Sequence, residues 1–171
     1  MSRVRPASQP LPSISPEIDD IFASADYTDV HWTETSKSLA DALFAIIRWQ
    51  PVWLKALYLL RTLLAPLFGY RIVGIPPTRL SDSAEIPFIP GEPTFIGKVW
   101  KAVENEYWSV EADDRHLKAI LLIRRNPTDS KTARLSLLTV VFYKTWRGRF
   151  YLRLVMLFHH KIVNAMLRAA V

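Results

Sequence analysis

Four apolar runs of strand length follow one another in the second half of the chain, at residues 95–103, 106–112, 116–125 and 134–145. They are rich in β-branched and aromatic residues, and turn-forming residues separate the second, third and fourth runs. The segments 117–123 and 135–143 are apolar on both faces, which is typical of a strand that is covered on both sides. The pattern predicts an antiparallel sheet with buried central strands.

A helical period begins at Gly148 and continues to the end of the chain. At 100° per residue, apolar side chains fill one arc of the wheel and basic side chains cluster in another. His159 falls inside the apolar arc, whereas His160 falls among the basic residues. We therefore expect a long C-terminal helix that lies across the sheet and turns His159 toward it.

Before the sheet, residues 26–33 are predicted to form a first strand with Tyr27, Asp29 and His31 on one face. Ser38 followed by Asp41 resembles a capping box, which predicts the start of a helix that runs to residue 49. A proline at the first helical position then favours a second helix over residues 51–68. A short strand at 71–74 and a proline-rich loop at 75–93 are expected to connect these helices to the sheet.

The expected domain organisation is simple. Residues 1–22 contain four prolines and no apolar run of signal-peptide length, so an extended or disordered tail is predicted. The remaining residues, 23–171, suit one α+β domain. A chain of this size can bury a stable core without disulfides or structural metal ions. The chain has no cysteine, which excludes disulfides, thiolate metal sites and thiol nucleophiles.

Charge is distributed unevenly along the chain. The net charge is +6, and residues 117–171 alone carry eleven basic side chains against one acidic side chain. Such a segment suits an anionic membrane surface or an acidic partner, although a solvated helix face is the commoner explanation. The apolar stretch at 43–67 is interrupted by three basic residues, so it is not predicted to span a membrane. The expected location is the cytoplasm, with the inner membrane face as a candidate docking surface.

Four short motifs resemble a bacterial family of domains of unknown function with a helix-grip (START-like, SRPBCC) fold. They are Asp-Tyr-Thr-Asp at 26–29, Asp-Asp-Arg-His-Leu at 113–117, Gly-Arg-Phe-Tyr-Leu at 148–152 and Phe-His at 158–159. The chain departs from the family pattern at Leu157, where a proline is expected. The resemblance implies a curved antiparallel sheet with two helices after strand 1 and a long C-terminal helix across it. Members also occur appended to short-chain-dehydrogenase-like domains, which implies a candidate oxidoreductase partner in trans, but no reaction and therefore no catalytic residue.

His159 is the leading candidate for a site residue, because an interior imidazole needs a hydrogen-bond partner and can also serve as a base or a ligand donor. A satisfied core histidine is the more frequent outcome for such a residue. Strand ends and the last helix are expected to meet at one mouth of a pocket, where the candidate partners of His159 are Tyr27, Asp29, His31 and His116. The candidate ligand-binding residues are His159, Tyr27, His31, His116, Tyr143 and Tyr151.

Other kinds of site have little support in the sequence. The four histidines include no i, i+4 pair, so no metal site and no cofactor are predicted. The five glycines form no phosphate-cradling loop and no nucleophile elbow. Asp26 and Asp29 have odd spacing on a strand and point to opposite faces, which argues against a two-carboxylate site. The absence of an RNP-like motif argues against nucleic-acid binding.

Three functions stay open at this point. The first is a binding module whose sheet and last helix enclose a largely apolar pocket for a small hydrophobic or amphipathic molecule. The second is a peripheral membrane or protein-docking module that uses the basic helices with Trp49, Trp53 and Trp146 at an interface. The third is an enzyme of the cyclase or isomerase type, in which His159 and a tyrosine act as acid and base.

Overall fold

The computed structural model describes residues 13–49, 51–56, 59, 86–94 and 96–171. Five antiparallel strands form one sheet, in the order β1-β5-β4-β3-β2. The strands are β1 (Tyr27–Thr35), β2 (Lys98–Val103), β3 (Tyr107–Asp113), β4 (Leu117–Pro127) and β5 (Ala133–Tyr143), and the helices are α1 (Pro16–Ala23), α2 (Leu39–Arg48) and α3 (Trp146–Ala169).

The predicted strands and the predicted helix at 39–49 are found within three residues of their expected bounds. Strand β2 begins at Lys98 because a turn precedes it, in which the Thr94 amide donates to the Gly97 carbonyl oxygen at 2.7 Å. The second predicted helix, 51–68, is helical over residues 52–56 and at residue 59. The rest of that helix, the predicted strand at 71–74 and most of the predicted loop at 75–93 lie outside the described residues.

Strand β1 pairs with the last strand of the sheet and not with the next one in sequence. Tyr27 lies opposite Val141, and Thr35 lies opposite Ala133. This pairing places β1 at the sheet edge beside the strand that leads directly into α3. The polar face of β1 and the start of α3 are therefore brought to the same side of the molecule.

The prediction of an extended tail over residues 1–22 is wrong for residues 16–22, because α1 forms there. Ser15 is the N-cap, and its hydroxyl accepts a hydrogen bond from the Ile18 amide at 3.4 Å. Pro16 occupies the first turn, where a missing N–H costs nothing. Ile18 and Phe22 are buried against the sheet, among residues from β4 and β5. This hydrophobic contact holds α1 against the sheet. The prolines by themselves had predicted a segment without regular structure.

Helices α2 and α3 cover the opposite face of the sheet, so the central strands are covered on both sides as predicted. On this face Leu43 of α2 and Leu167 of α3 pack against Leu137 of β5 in one buried cluster. The hydroxyl of Thr35 donates to the carbonyl oxygen of Ala170 at 2.8 Å and thereby ties the end of β1 to the end of α3.

The order of the described elements and the long helix packed across the antiparallel sheet confirm the predicted α+β helix-grip arrangement. Within the described part of the chain, no helix combines the length and the apolar character needed to cross a bilayer.

Candidate functional site

The side of α3 that faces the sheet is buried at both ends and partly open in the middle. Leu152 is 8% exposed and Val163 is 3% exposed. Between them Val155, Met156 and His159, which continue the same stripe, are only half-buried. The middle of the interface between helix and sheet is thus accessible from outside, and it is there that the polar residues of the site lie.

A carboxylate and three imidazoles meet at this opening. The His31 Nε2 atom lies 2.9 Å from Oδ2 of Asp29, within hydrogen-bond distance. Nε2 of His159 lies 3.3 Å and Nδ1 of His160 lies 3.5 Å from the same carboxylate oxygen. His160 Nδ1 also lies 3.3 Å from His31 Nε2. A single oxygen atom therefore has three ring nitrogens around it.

Local structure explains how four residues from two elements converge. Alternation along β1 points Asp29, His31 and Thr33 toward α3, and all three are buried. His159 and His160 are neighbours on α3 and point about 100° apart. Since the Asp29 carboxylate lies between the two directions, both rings reach it.

The electrostatics of the site are set by Asp29. Burial alone would raise the pKa of this carboxyl, but contacts with His159 and His31 outweigh burial and hold the pKa well below its usual range. The same carboxylate contributes to a second shift. Burial and the nearby charge of Asp29 raise the pKa of Tyr27 to about 12, with a further contribution from Tyr143. At neutral pH the site thus combines an ionised carboxylate with a protonated phenol.

An apolar cluster adjoins the polar residues toward the start of α3. Its buried members are Leu117, Val141 and Leu152. Half-buried side chains pack against them and form the border between the cluster and solvent: Tyr27, Ala119, Tyr143, Tyr151 and Met156. Polar and apolar contact surfaces therefore lie next to each other under the first half of the helix.

His116 lies away from His159 and the Asp29 carboxylate, although it was predicted to belong to the same site as His159. Its Nδ1 lies 2.9 Å from the hydroxyl of Thr145, the N-cap of α3. Its carbonyl oxygen accepts hydrogen bonds from the amides of Lys144 and Thr145. Thr145 precedes His159 by about four helical turns, or roughly 20 Å. His116 thus connects the hairpin between β3 and β4 to the start of α3.

Residues 21–166 match the family described as "Protein of unknown function (DUF2867)". The chain belongs to this family. The match spans β1 to nearly the end of α3. It therefore includes the whole Asp29 cluster, which consists of Asp29, His31, His159 and His160.

No curated protein matches the chain. A solved structure of norcoclaurine synthase from Thalictrum flavum, in complex with dopamine and hydroxybenzaldehyde, is 17% identical, with 94% of each chain covered and a TM-score of 0.39.

The structure groups the predicted site residues of this DUF2867 protein in part. It brings His159 and His31 together and places Tyr27, Tyr143 and Tyr151 in the adjoining apolar cluster. His116 is separate. Asp29 was predicted as a candidate partner of His159 but not as a ligand-binding residue, and His160 was missing from the predicted set. The signal for Asp29 was its alternation with His31 on one strand face. No helical-wheel signal could reveal His160, because its partner comes from β1.

Asp29 and two of the imidazoles around its carboxyl group also form a candidate set of metal ligands. Asp29, His31 and His160 each offer a ligand atom, and these atoms lie within 4.8 Å of one another. No metal site was predicted, because the histidines lack ligand spacing along the chain. Spacing along the chain tests one element at a time, whereas this set is assembled from a strand and a helix.

Proposed function

We propose that this protein is a binding module for a small amphipathic molecule, held between the sheet and the first half of α3. The observation that carries the proposal is the half-buried middle of the α3 stripe, at Val155, Met156 and His159, between buried ends. Leu152 and Val163, which flank this segment on the same stripe, are buried. A site for a small molecule is expected where packed elements separate and polar groups converge.

The two neighbouring surfaces suggest which end of the ligand lies where. Tyr151, Met156 and Tyr143 offer a half-buried apolar wall for a hydrocarbon or aromatic body. His160 is half-exposed beside the buried Asp29, so its ring can reach a polar head group that carries a hydroxyl or carbonyl oxygen. The ligand class is therefore an apolar body with one oxygen-bearing end.

Binding of N-phenylnaphthylamine tests the proposal. This fluorescent probe is apolar and uncharged, so the basic surface of the protein does not attract it electrostatically. We expect saturable binding with one probe per chain. Met156→Trp should weaken that binding about tenfold or more, which corresponds to about 1.4 kcal/mol, because an indole fills the opening.

Leu157→Trp is the matched control. Leu157 is the next residue on α3 and is 67% exposed on the outer side, so the same substitution there should leave probe affinity unchanged. Thermal melts of both variants verify that the fold is retained. A wild-type protein that binds no probe saturably, or equal affinity in the wild type and Met156→Trp, contradicts the proposal.

A second candidate function is docking on an anionic membrane surface through the outer side of α3. Trp146 is 74% exposed and Leu157 is 67% exposed, and on a helical wheel they lie about 20° apart. Arg153 lies on the same stripe and is exposed. The helix contains five basic residues and no acidic one. Aromatic and apolar side chains flanked by basic ones suit the boundary between lipid head groups and acyl chains.

Sedimentation with lipid vesicles tests this second function. The protein should pellet with phosphatidylserine vesicles at low salt and stay in solution with phosphatidylcholine vesicles. Arg153→Glu should weaken binding about tenfold, since each basic residue near such a surface contributes about 1 kcal/mol and reversal also adds repulsion. Lys131→Glu, in the exposed turn before β5, is the charge-matched control. Equal loss in both variants would leave only a general effect of net charge and would exclude docking by α3.

A further inference from the structure

We propose that Asp29, His31 and His160 form a binding site for a divalent transition-metal cation of the zinc type. This inference does not depend on the amphipathic ligand, because it rests on the positions of three ligand atoms. They are Oδ2 of Asp29, Nε2 of His31 and Nδ1 of His160.

The spacing of these atoms matches a tetrahedral metal site. They form a triangle with sides of 2.9, 3.3 and 3.5 Å. Zinc binds imidazole nitrogen and carboxylate oxygen at about 2.0–2.2 Å, so two ligand atoms of a tetrahedral site lie about 3.3–3.5 Å apart. The side of 2.9 Å is slightly shorter than this range, and the sides of 3.3 and 3.5 Å lie within it. A cation of this size can therefore occupy the position above the triangle with little movement of the side chains.

The charge of the cluster also favours a cation. Asp29 is 6% exposed, and its ion-pair partners among the described residues are the three histidines. Buried carboxylates in proteins are paired with a positive charge or coordinate a metal ion. A divalent cation supplies that charge, and neutral imidazole with carboxylate is the ligand chemistry that zinc-type ions accept.

Burial divides the roles of the ligands. Asp29 and His31 are buried on a sheet strand, so their positions are fixed by the fold. His160 has a side chain that is 52% exposed, which provides a path for the ion from solvent. Three protein ligands leave a fourth tetrahedral position for water or for an oxygen atom of a ligand. His159 contacts the Asp29 carboxylate and is suited to orient it as a positioning residue.

Titration calorimetry with ZnCl₂ on tag-free, EDTA-stripped, full-length protein tests the site. We expect one Zn²⁺ per chain and a rise in melting temperature upon addition of the metal, because an ion that binds only the folded state stabilises it. With Co²⁺ in place of Zn²⁺, we expect the strong visible absorption of a tetrahedral site. His160→Gln should weaken Zn²⁺ binding about 100-fold or more, since even residues that only support a ligand contribute about 10- to 100-fold.

Lys161→Gln is the matched control, because Lys161 is the next residue on α3, is exposed and carries no ligand atom of the set. Its Zn²⁺ affinity should equal that of the wild type. Asp29→Asn is a second variant that removes the anionic ligand with little change of shape, and it should also abolish tight binding. A wild-type protein that binds no Zn²⁺, or a His160→Gln variant with wild-type affinity, overturns the inference. Probe binding by EDTA-stripped protein decides separately whether the proposed ligand site exists.

Discussion

Phe22→Ala is expected to lower the free energy of unfolding by about 3–5 kcal/mol, the usual cost of deleting a buried phenyl ring from a core. Phe22 is 2% exposed on α1, and its ring centroid lies 6.3 Å from that of Trp100 on β2. Ile120 and Leu138 belong to the same buried cluster. The substitution would leave a cavity between α1 and the sheet. Urea denaturation followed by tryptophan fluorescence measures the change.

Phe158→Ala provides the control of matched residue type. Phe158 lies on α3 and is 38% exposed, so the same substitution removes far less buried surface and should cost about 1 kcal/mol. If Phe22→Ala costs no more than Phe158→Ala, α1 contributes nothing to the core. Its contact with the sheet would then be absent in solution.

Gly148→Ala is the second substitution with a large expected effect, a loss of about 3 kcal/mol in unfolding free energy. A Cβ atom at Gly148 would lie 2.2 Å from the carbonyl oxygen of His116 and 2.9 Å from its carbonyl carbon. That oxygen accepts hydrogen bonds from the amides of Lys144 and Thr145, so it cannot withdraw without breaking them. The start of α3 has to move away from the sheet instead.

The sign of this effect is informative because helix propensity alone predicts the opposite. In an exposed helix, alanine is more favourable than glycine by about 1 kcal/mol. Arg147→Ala, at the preceding exposed position, is the control and should change stability by less than about 0.5 kcal/mol. Chemical denaturation of both variants gives the comparison. A Gly148→Ala protein as stable as the wild type would show that α3 does not approach the hairpin so closely.

The proposed ligand site and the proposed metal site lie in adjacent parts of one opening between α3 and the sheet. The proposed metal ligands lie on the polar side of the half-buried stripe, and Met156 with Tyr151 lies on the apolar side. An ion held by Asp29 and two imidazoles would supply a further coordination position for an oxygen atom of a bound molecule. Probe binding with and without Zn²⁺ therefore measures whether the two sites are coupled.

The sequence by itself determined the strands, the α2 cap and the direction in which His159 points. These features follow from local periodicity: alternation on strands, and a 100° step on α3 that places His159 opposite Trp146. Local rules failed for α1, since Pro16 can either interrupt a helix or begin one. The buried contacts of Ile18 and Phe22 decided the outcome, and they involve strands far along the chain.

The grouping of Asp29, His31, His159 and His160 was decided by the tertiary structure. The pairing of β1 with β5 places β1 beneath α3, and the buried ends of that helix fix its height above the strand. A helical wheel assigns His160 to the polar side because it considers one helix in isolation. Its ring meets Asp29 because β1 lies beside β5 at the edge of the sheet that α3 covers. Sequence periodicity specifies which face a side chain occupies, whereas the contacts between faces depend on how the elements pack.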